Sequence, residues 1–253
     1  MEDNRKIVEH IVQGMEYYME TLALPSHMEK FSDGMCAWVK PKEGAMGPEA
    51  VYRVTLGDKT DEEIKLILQS YRDKGLPDYW CVTPLSTPNH IQDILVSLGI
   101  TEAQAENSLG MALNSDEYLG GYAKAKHTDI SVQKVNNITD FTIWSDIANK
   151  VLHECRLLDP IAYFPLCESG KLVCYLGYKE DSPVATAATI NNNGSATLEF
   201  VATLPEYRKQ GIAAAVCSAA IEQLIRERAY IITLRARKMG VSLYKALGFK
   251  VYY

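Results

Sequence analysis

The sequence predicts an α/β protein built as two successive halves, and three observations carry that expectation. Short β-branched and aromatic runs alternate with amphipathic stretches along the chain. A polar segment, "GGYAKAKHTD" at 120–129, interrupts the alternation, which then restarts. Finally, "DILVSLGI" (93–100) is echoed by "SLYKALGF" (242–249), and aligning the Leu-Gly pairs sets Leu95 opposite Tyr244. So short a match counts only because the order of elements around it also repeats. At 253 residues the chain exceeds one average domain, and the halves are drawn at 1–126 and 127–253.

In the first half, Arg5 to Leu22 carries apolar residues at helical spacing and reads as a helix. "MCAWVKP" (35–41) and "AVYRVTL" (50–56) read as strands, joined by the loop "KEGAMGPE". Thr60 with Glu63 three residues on is a capping-box start for a helix that Gly75 ends. A strand "DYWCVTP" (78–84), a helix "PNHIQDILVSLG" (88–99) and a strand near "GMALNS" (110–115) follow. Trp80, beside an exposed-looking loop, suits a cleft wall or the core.

The second half opens with a strand "ISVQKV" (130–135) and a helix over 138–154. Strands come next in 171–180, 182–190 and 195–204, with "NNNGS" (191–195) as a hairpin turn. A helix over 212–229, a strand "YIITLRA" (230–236), a helix "GVSLYKALG" (240–248) and a closing "FKVYY" complete the chain.

Composition bounds the function. The chain is 47% hydrophobic and 23% charged, ordinary for a soluble globular protein. A net charge of −6 argues against a nucleic-acid partner, which usually comes with a basic surplus. The cysteines (36, 81, 155, 167, 174, 217) form no C-x-x-C pair, and the histidines (10, 27, 90, 127, 153) lack zinc-ligand spacing, so no metal is expected. The first residues, "MEDNRKIVEH", are unlike a signal peptide, and no apolar run approaches a membrane span. A reducing cytoplasm with free thiols is the expected setting. Oligomeric state is not legible.

Chemistry concentrates in "SATLEFVATLPEYRKQGIAAAV". Pro205 ends strand pairing and holds Leu204 extended. The helix that follows opens with unpaired N–H groups and a partial positive charge, the requirements for holding an anion. Gly211 and Ala213 carry no bulk to keep a phosphate away, and Arg208 and Lys209 add charge. The same residues would equally suit a tightly packed strand-to-helix turn. Glu199 interrupts an otherwise apolar strand, and strict alternation would set it on one face with Val201 and Thr203. A carboxylate there is either used, paired or exposed at an edge. Tyr244 sits at helical spacing with Leu247, beside Leu243, which fits packing as well as catalysis.

Arg208 to Ala213, "RKQGIA", resembles the R-x-x-G-x-A acyl-CoA-binding motif of the GNAT superfamily of N-acetyltransferases. "YIITLRA" and "KMGVSLYKALGF" resemble that family's later strand and its Leu-Tyr-x-x-Leu-Gly-Phe helix, and the likeness spans residues 128–253. The resemblance implies the GNAT fold, a mixed, mostly antiparallel central sheet flanked by helices. It implies acetyl-CoA as acyl donor and an amine as acceptor, joined by direct attack in a ternary complex. Backbone groups of Val201, Ala202 and Thr203 would meet the pantetheine arm. Arg208, Lys209, Gln210, Gly211, Ile212, Ala213 and Ala214 would surround the pyrophosphate. Tyr244 would be the general acid that protonates the departing thiolate, and Glu199 is the candidate base. Many family members carry asparagine where this chain has Arg237, which receives no catalytic role.

The first half would then be a degenerate GNAT-like domain of a tandem protein. Asp58, Asp61, Glu62 and Glu63 stand where phosphate-binding residues would be, and Leu95 replaces the tyrosine. A non-catalytic acyl-CoA-binding or regulatory module, with Tyr244 as packing alone, is the alternative. No G-x-x-x-x-G-K-[ST] occurs, which disfavours a P-loop nucleotide enzyme.

Overall fold

The computed structural model describes residues 2–100, 108–120, 129–153 and 157–253. The expected boundary at 126/127 lies outside them, as do His127 and Cys155. Two compact units form, one comprising Met1–Gly14 with Ser108–Tyr253, the other Met15–Asn107. Helix α1 (Glu2–Leu22) is continuous and contributes residues to both.

In the smaller unit, β1 (Met28–Ser32), β2 (Cys36–Pro41) and β3 (Ala50–Val54) form an antiparallel sheet in that order. Trp38, Ile64, Leu68, Tyr71 and Ile91 fill the core between this sheet, α2 (Asp61–Arg72) and α3 (Ile91–Ser97). Thr60 and Glu63 close the expected capping box, side chain to backbone in both directions. The hairpin strand β1 lies outside the expected strands, because in Met28–Ser32 only Met28 is buried and no alternation announces it. The strand expected over 78–84 is reduced to a bridge of Trp80 with Val51, next to a second bridge of Thr87 with Thr55. Prolines at 84 and 88 lack the N–H groups that a continuous ladder needs.

The larger unit holds β4 (Leu109–Asn114), β5 (Ile130–Lys134), α4 (Ile138–Ala148) with a π-helical turn over Asn149–His153, α5 (Pro160–Glu168), β6 (Val173–Lys179), β7 (Ser182–Asn192), β8 (Ser195–Thr203), α6 (Ile212–Arg226), β9 (Ile231–Ala236), α7 (Val241–Ala246) and β10 (Lys250–Val251). Its 7-stranded sheet runs β10-β4-β9-β8-β7-β6-β5, antiparallel at every step except β8–β9. The mixed, mostly antiparallel sheet flanked by helices is therefore present. Strand β4, which the sequence places in the amino-terminal half, belongs to this sheet between β10 and β9. Its central residues are buried on both faces, as an inner strand requires. Helix α5 is unexpected because Pro160 and Pro165 read as breakers. Pro160 stands at the helix start, where no N–H is needed, and Asp159 caps the N–H groups of Ile161 and Ala162.

Helix α6 packs Val216, Cys217, Ala220 and Ile221 against Leu198, Ile232 and Leu234 of the sheet. From α1, Ile7 and Ile11 pack on Ala112 and Ile231. Among the described residues, no helix is long and apolar enough to cross a membrane.

Candidate active site

The parallel ladder between β8 and β9 is short. It pairs Ser195 with Ile231, Ala196 with Ile232 and Thr197 with Thr233, then ends, although β8 runs on to Thr203 and β9 to Ala236. Beyond Thr197 the two strands splay, and among the described residues the β9-facing edge of β8 has no strand partner. A β-bulge enforces the divergence. Against β7, Glu199 pairs with Ala188 and Ala202 with Thr186, so two residues, Phe200 and Val201, oppose Ala187 alone. Phe200 adopts a left-handed φ of 52°, unusual for an aromatic residue. Side chains hold this backbone in place. The Thr186 hydroxyl donates to the Phe200 carbonyl at 2.8 Å, and Trp144 Nε1 donates to the Ala187 carbonyl at 3.0 Å. The Trp144 ring stands edge-on to Phe200 at 5.2 Å between centroids.

This bulge corrects one expectation. Glu199, Val201 and Thr203 do not share a face by simple alternation; the register sets Glu199 with Ala202 and turns Thr203 to the opposite side.

Past β8 the chain turns through Pro205–Tyr207 into α6. Lys209 (φ 61°) and Gly211 (φ 84°) are both left-handed, with Gln210 between them. Such a turn points successive N–H groups toward one concavity, and at Gly211 the absence of a Cβ removes the steric penalty. Gly211 provides no side-chain cap, and the helical ladder begins only with Ala215 N–H to Gly211 carbonyl at 3.0 Å. The N–H groups of Ile212, Ala213 and Ala214 therefore lie ahead of the ladder, at the positive end of a 15-residue helix. The Arg208 side chain is tied back to β8, its Nε donating to the Thr203 carbonyl at 3.1 Å.

Tyr244 is buried on α7, its ring 5.9 Å from that of Phe249. The turn around it is a Schellman motif. Gly248 N–H bonds the Lys245 carbonyl and Phe249 N–H bonds the Tyr244 carbonyl, with Gly248 left-handed at φ 98°. Burial, with the charges of Cys217 and Glu199 nearby, holds the Tyr244 hydroxyl well above the usual tyrosine range. Burial likewise raises the Glu199 carboxyl, against the opposing pull of the Arg235 charge and the Thr197 hydroxyl, whose Oγ1 donates to Glu199 Oε1 at 2.7 Å. Both groups thus favour their neutral forms, and the Glu199 charge reaches the Tyr244 hydroxyl.

Residues 135–249 match the family model described as acetyltransferase (GNAT) family. That stretch is a GNAT acetyltransferase domain. The chain is also similar in structure to a GCN5-related N-acetyltransferase from Kribbella flavida, at 14% identity and a TM-score of 0.62, covering 94% of this chain and 91% of that one. It is similar to a tandem GNAT protein from the clavulanic acid biosynthesis pathway at 12% identity and a TM-score of 0.61, covering 95% and 92%. At such identities the likeness is one of fold. No curated protein matches the chain.

Around the splay of the GNAT domain stand three residues that sequence reasoning missed. Arg235 on β9 lowers the Glu199 carboxyl by its charge. Thr197 donates to the same carboxylate. His153, at the end of the π-helical turn, lies edge-on to Phe200 at 6.4 Å. Burial and the charge of Arg237 push its imidazole below the ordinary value, toward the neutral form. Arg235 and His153 come from elements remote in sequence, whereas Thr197 lies two residues before Glu199 on the same strand.

Proposed function

We propose that the GNAT domain transfers the acetyl group of acetyl-CoA to a primary amine of a small molecule or peptide, by direct attack while both are bound. The divergence of β8 from β9, opening beside Tyr244 and the amide-rich start of α6, is the observation that carries this reading. In it, the pantetheine arm adds to the free edge of β8 along Val201, Ala202 and Thr203 as an extra strand would. The pyrophosphate rests on the amides of Lys209 to Ala214. Arg208 acts mainly by bracing the end of β8.

Glu199 takes a proton from the incoming ammonium, directly or through water, and the neutral amine attacks the thioester carbonyl. A strand N–H at the splay stabilises the oxyanion, a role worth a few kcal/mol, about 3 in comparable sites. As the tetrahedral intermediate collapses, the C–S bond breaks, Tyr244 gives its proton to the CoA thiolate, and the extra proton left on the attacking nitrogen is lost to solvent, from which Tyr244 regains its own. Proximity of the two bound substrates supplies much of the rest.

The smaller unit fits a degenerate GNAT-like half. The start of α2 carries Asp61, Glu62 and Glu63, and its own capping box takes the Glu63 N–H, the counterpart of the Ala214 N–H that α6 leaves open. Leu95 stands in α3 at the position that Tyr244 holds in α7.

The test is CoA release from acetyl-CoA across an amine panel, with calorimetric titration of acetyl-CoA and of ATP as control. Tyr244→Phe is expected to lower turnover about 100-fold while acetyl-CoA affinity stays nearly unchanged. An unchanged rate with every accepted amine removes the tyrosine's role. Binding without CoA release for any amine favours the non-catalytic module instead.

A further inference from the structure

We propose that Thr197 is a positioning residue for acetyl transfer, its hydroxyl holding the Glu199 carboxylate at the mouth of the splay from the last rung of the β8–β9 ladder. The inference rests on the reading of Glu199 as base.

Thr197 is buried and pairs with Thr233 at the point where the ladder ends. Two residues on, before the bulge disturbs the alternation, Glu199 shares its face. The 2.7 Å contact from Thr197 Oγ1 to Glu199 Oε1 is a well-formed hydroxyl hydrogen bond, of a length that also suits a charged acceptor. Thr233 cannot take over this role, because its own hydroxyl donates to the Ala196 carbonyl at 3.1 Å. Gly14 of α1 lies against both threonines, such that a Cβ built there would fall 2.6 Å from Thr233 Oγ1 and 3.6 Å from Thr197 Cβ.

Of the charged and titratable groups, Arg235 from β9 and Tyr244 from α7 couple to Glu199, and α1 sets the bare Gly14 beside the threonine pair. Arg235 supplies charge, and Thr197 supplies direction. A carboxylate bonded through Oε1 is oriented, leaving its other oxygen for an ammonium or a relay water. A hydroxyl also favours the ionised form, so losing it raises the pH at which the base becomes available.

The full-length protein carrying ¹³C-labelled glutamate provides the test. The Glu199 δ-carbon is assigned with Glu199→Gln and titrated in the wild type, Thr197→Val and Thr197→Ser. CoA release with the amine that turns over in the panel is followed against pH in parallel. In Thr197→Val the carboxyl is expected to titrate at higher pH, with the acid limb of kcat moving alongside it. Turnover at pH 7 should fall about ten-fold, the KM for acetyl-CoA should hold, and Thr197→Ser should restore both readouts. A Glu199 titration unmoved in Thr197→Val overturns the positioning role and leaves acetyl transfer standing. A carboxyl that moves while the kcat limb stays shows that Glu199 is not the base, and the positioning role falls with it. Should the valine variant not fold, Thr197→Cys, a much weaker donor of similar size, is read in the same way.

Discussion

Burial acts on Tyr244 and Glu199 in the same direction. Enclosure opposes charge on either group, so the phenol keeps its proton well past neutrality and the carboxyl releases its own later than usual. Catalysis that needs Glu199 ionised and Tyr244 protonated should therefore rise with pH through a limb above the usual carboxylate range. It should not fall on account of the tyrosine until beyond the ordinary tyrosine value near 10. Because the Arg235 charge lowers Glu199, Arg235→Gln is expected to move that limb to higher pH, measured as kcat against pH with saturating acetyl-CoA. A limb that stays in place would remove Arg235 from the site. Both Tyr244 and Glu199 stand out in the sequence as candidates, one from its helix motif and the other as a charge inside an apolar strand. Arg235 does not, since the sequence does not say which strands lie side by side; Thr197, two residues before Glu199, gains its meaning only from the place where the β8–β9 ladder stops.

Among the elements, the most legible feature was the Leu-Gly echo, and its physical content is now plain. In α3, Gly99 N–H bonds the Val96 carbonyl and Ile100 N–H bonds the Leu95 carbonyl, the same Schellman closure that Gly248 and Phe249 make in α7. Leu95 and Tyr244 occupy equivalent positions in it, the carbonyl of each taken by the residue after the glycine. The bulge in β8 was illegible because no glycine or proline marks it; it is set by Thr186 and Trp144 from other elements. Gly14 gave a weaker signal still, a glycine inside a helix, where alanine would ordinarily add about 1 kcal/mol of stability. Here the added methyl would press on Thr233, so Gly14→Ala is expected to reverse that sign and destabilise by about 1–3 kcal/mol in urea unfolding. Stabilisation by alanine would mean that α1 does not sit so close to the threonine pair.

For the whole molecule, the two units carry carboxylates with opposite pH signatures. In the smaller unit, burial alone would raise the Asp33 carboxyl. The Tyr71 hydroxyl at 2.5 Å, the N–H groups of Cys36 and Met35, and the Lys74 charge outweigh it and hold the group below its usual value. A depressed carboxyl adds stability above its unfolded pKa of about 4, stability that is lost as pH falls through the folded value. Glu199 runs the other way: its raised folded pKa favours the folded state in acid, and that contribution is lost as pH rises from about 4 through the folded value. Asp33→Asn should therefore flatten the loss of stability in acid, whereas Glu199→Gln should raise the melting temperature at neutral pH, by about 2–4 °C if the relief amounts to about 1 kcal/mol. Calorimetric scans from pH 3 to 8 on the wild type and both variants separate these effects even if the units melt in distinct transitions. A Glu199→Gln protein that melts lower at neutral pH would mean that the ionised carboxylate is a net stabiliser, paired too well to serve as a base held ready for a proton.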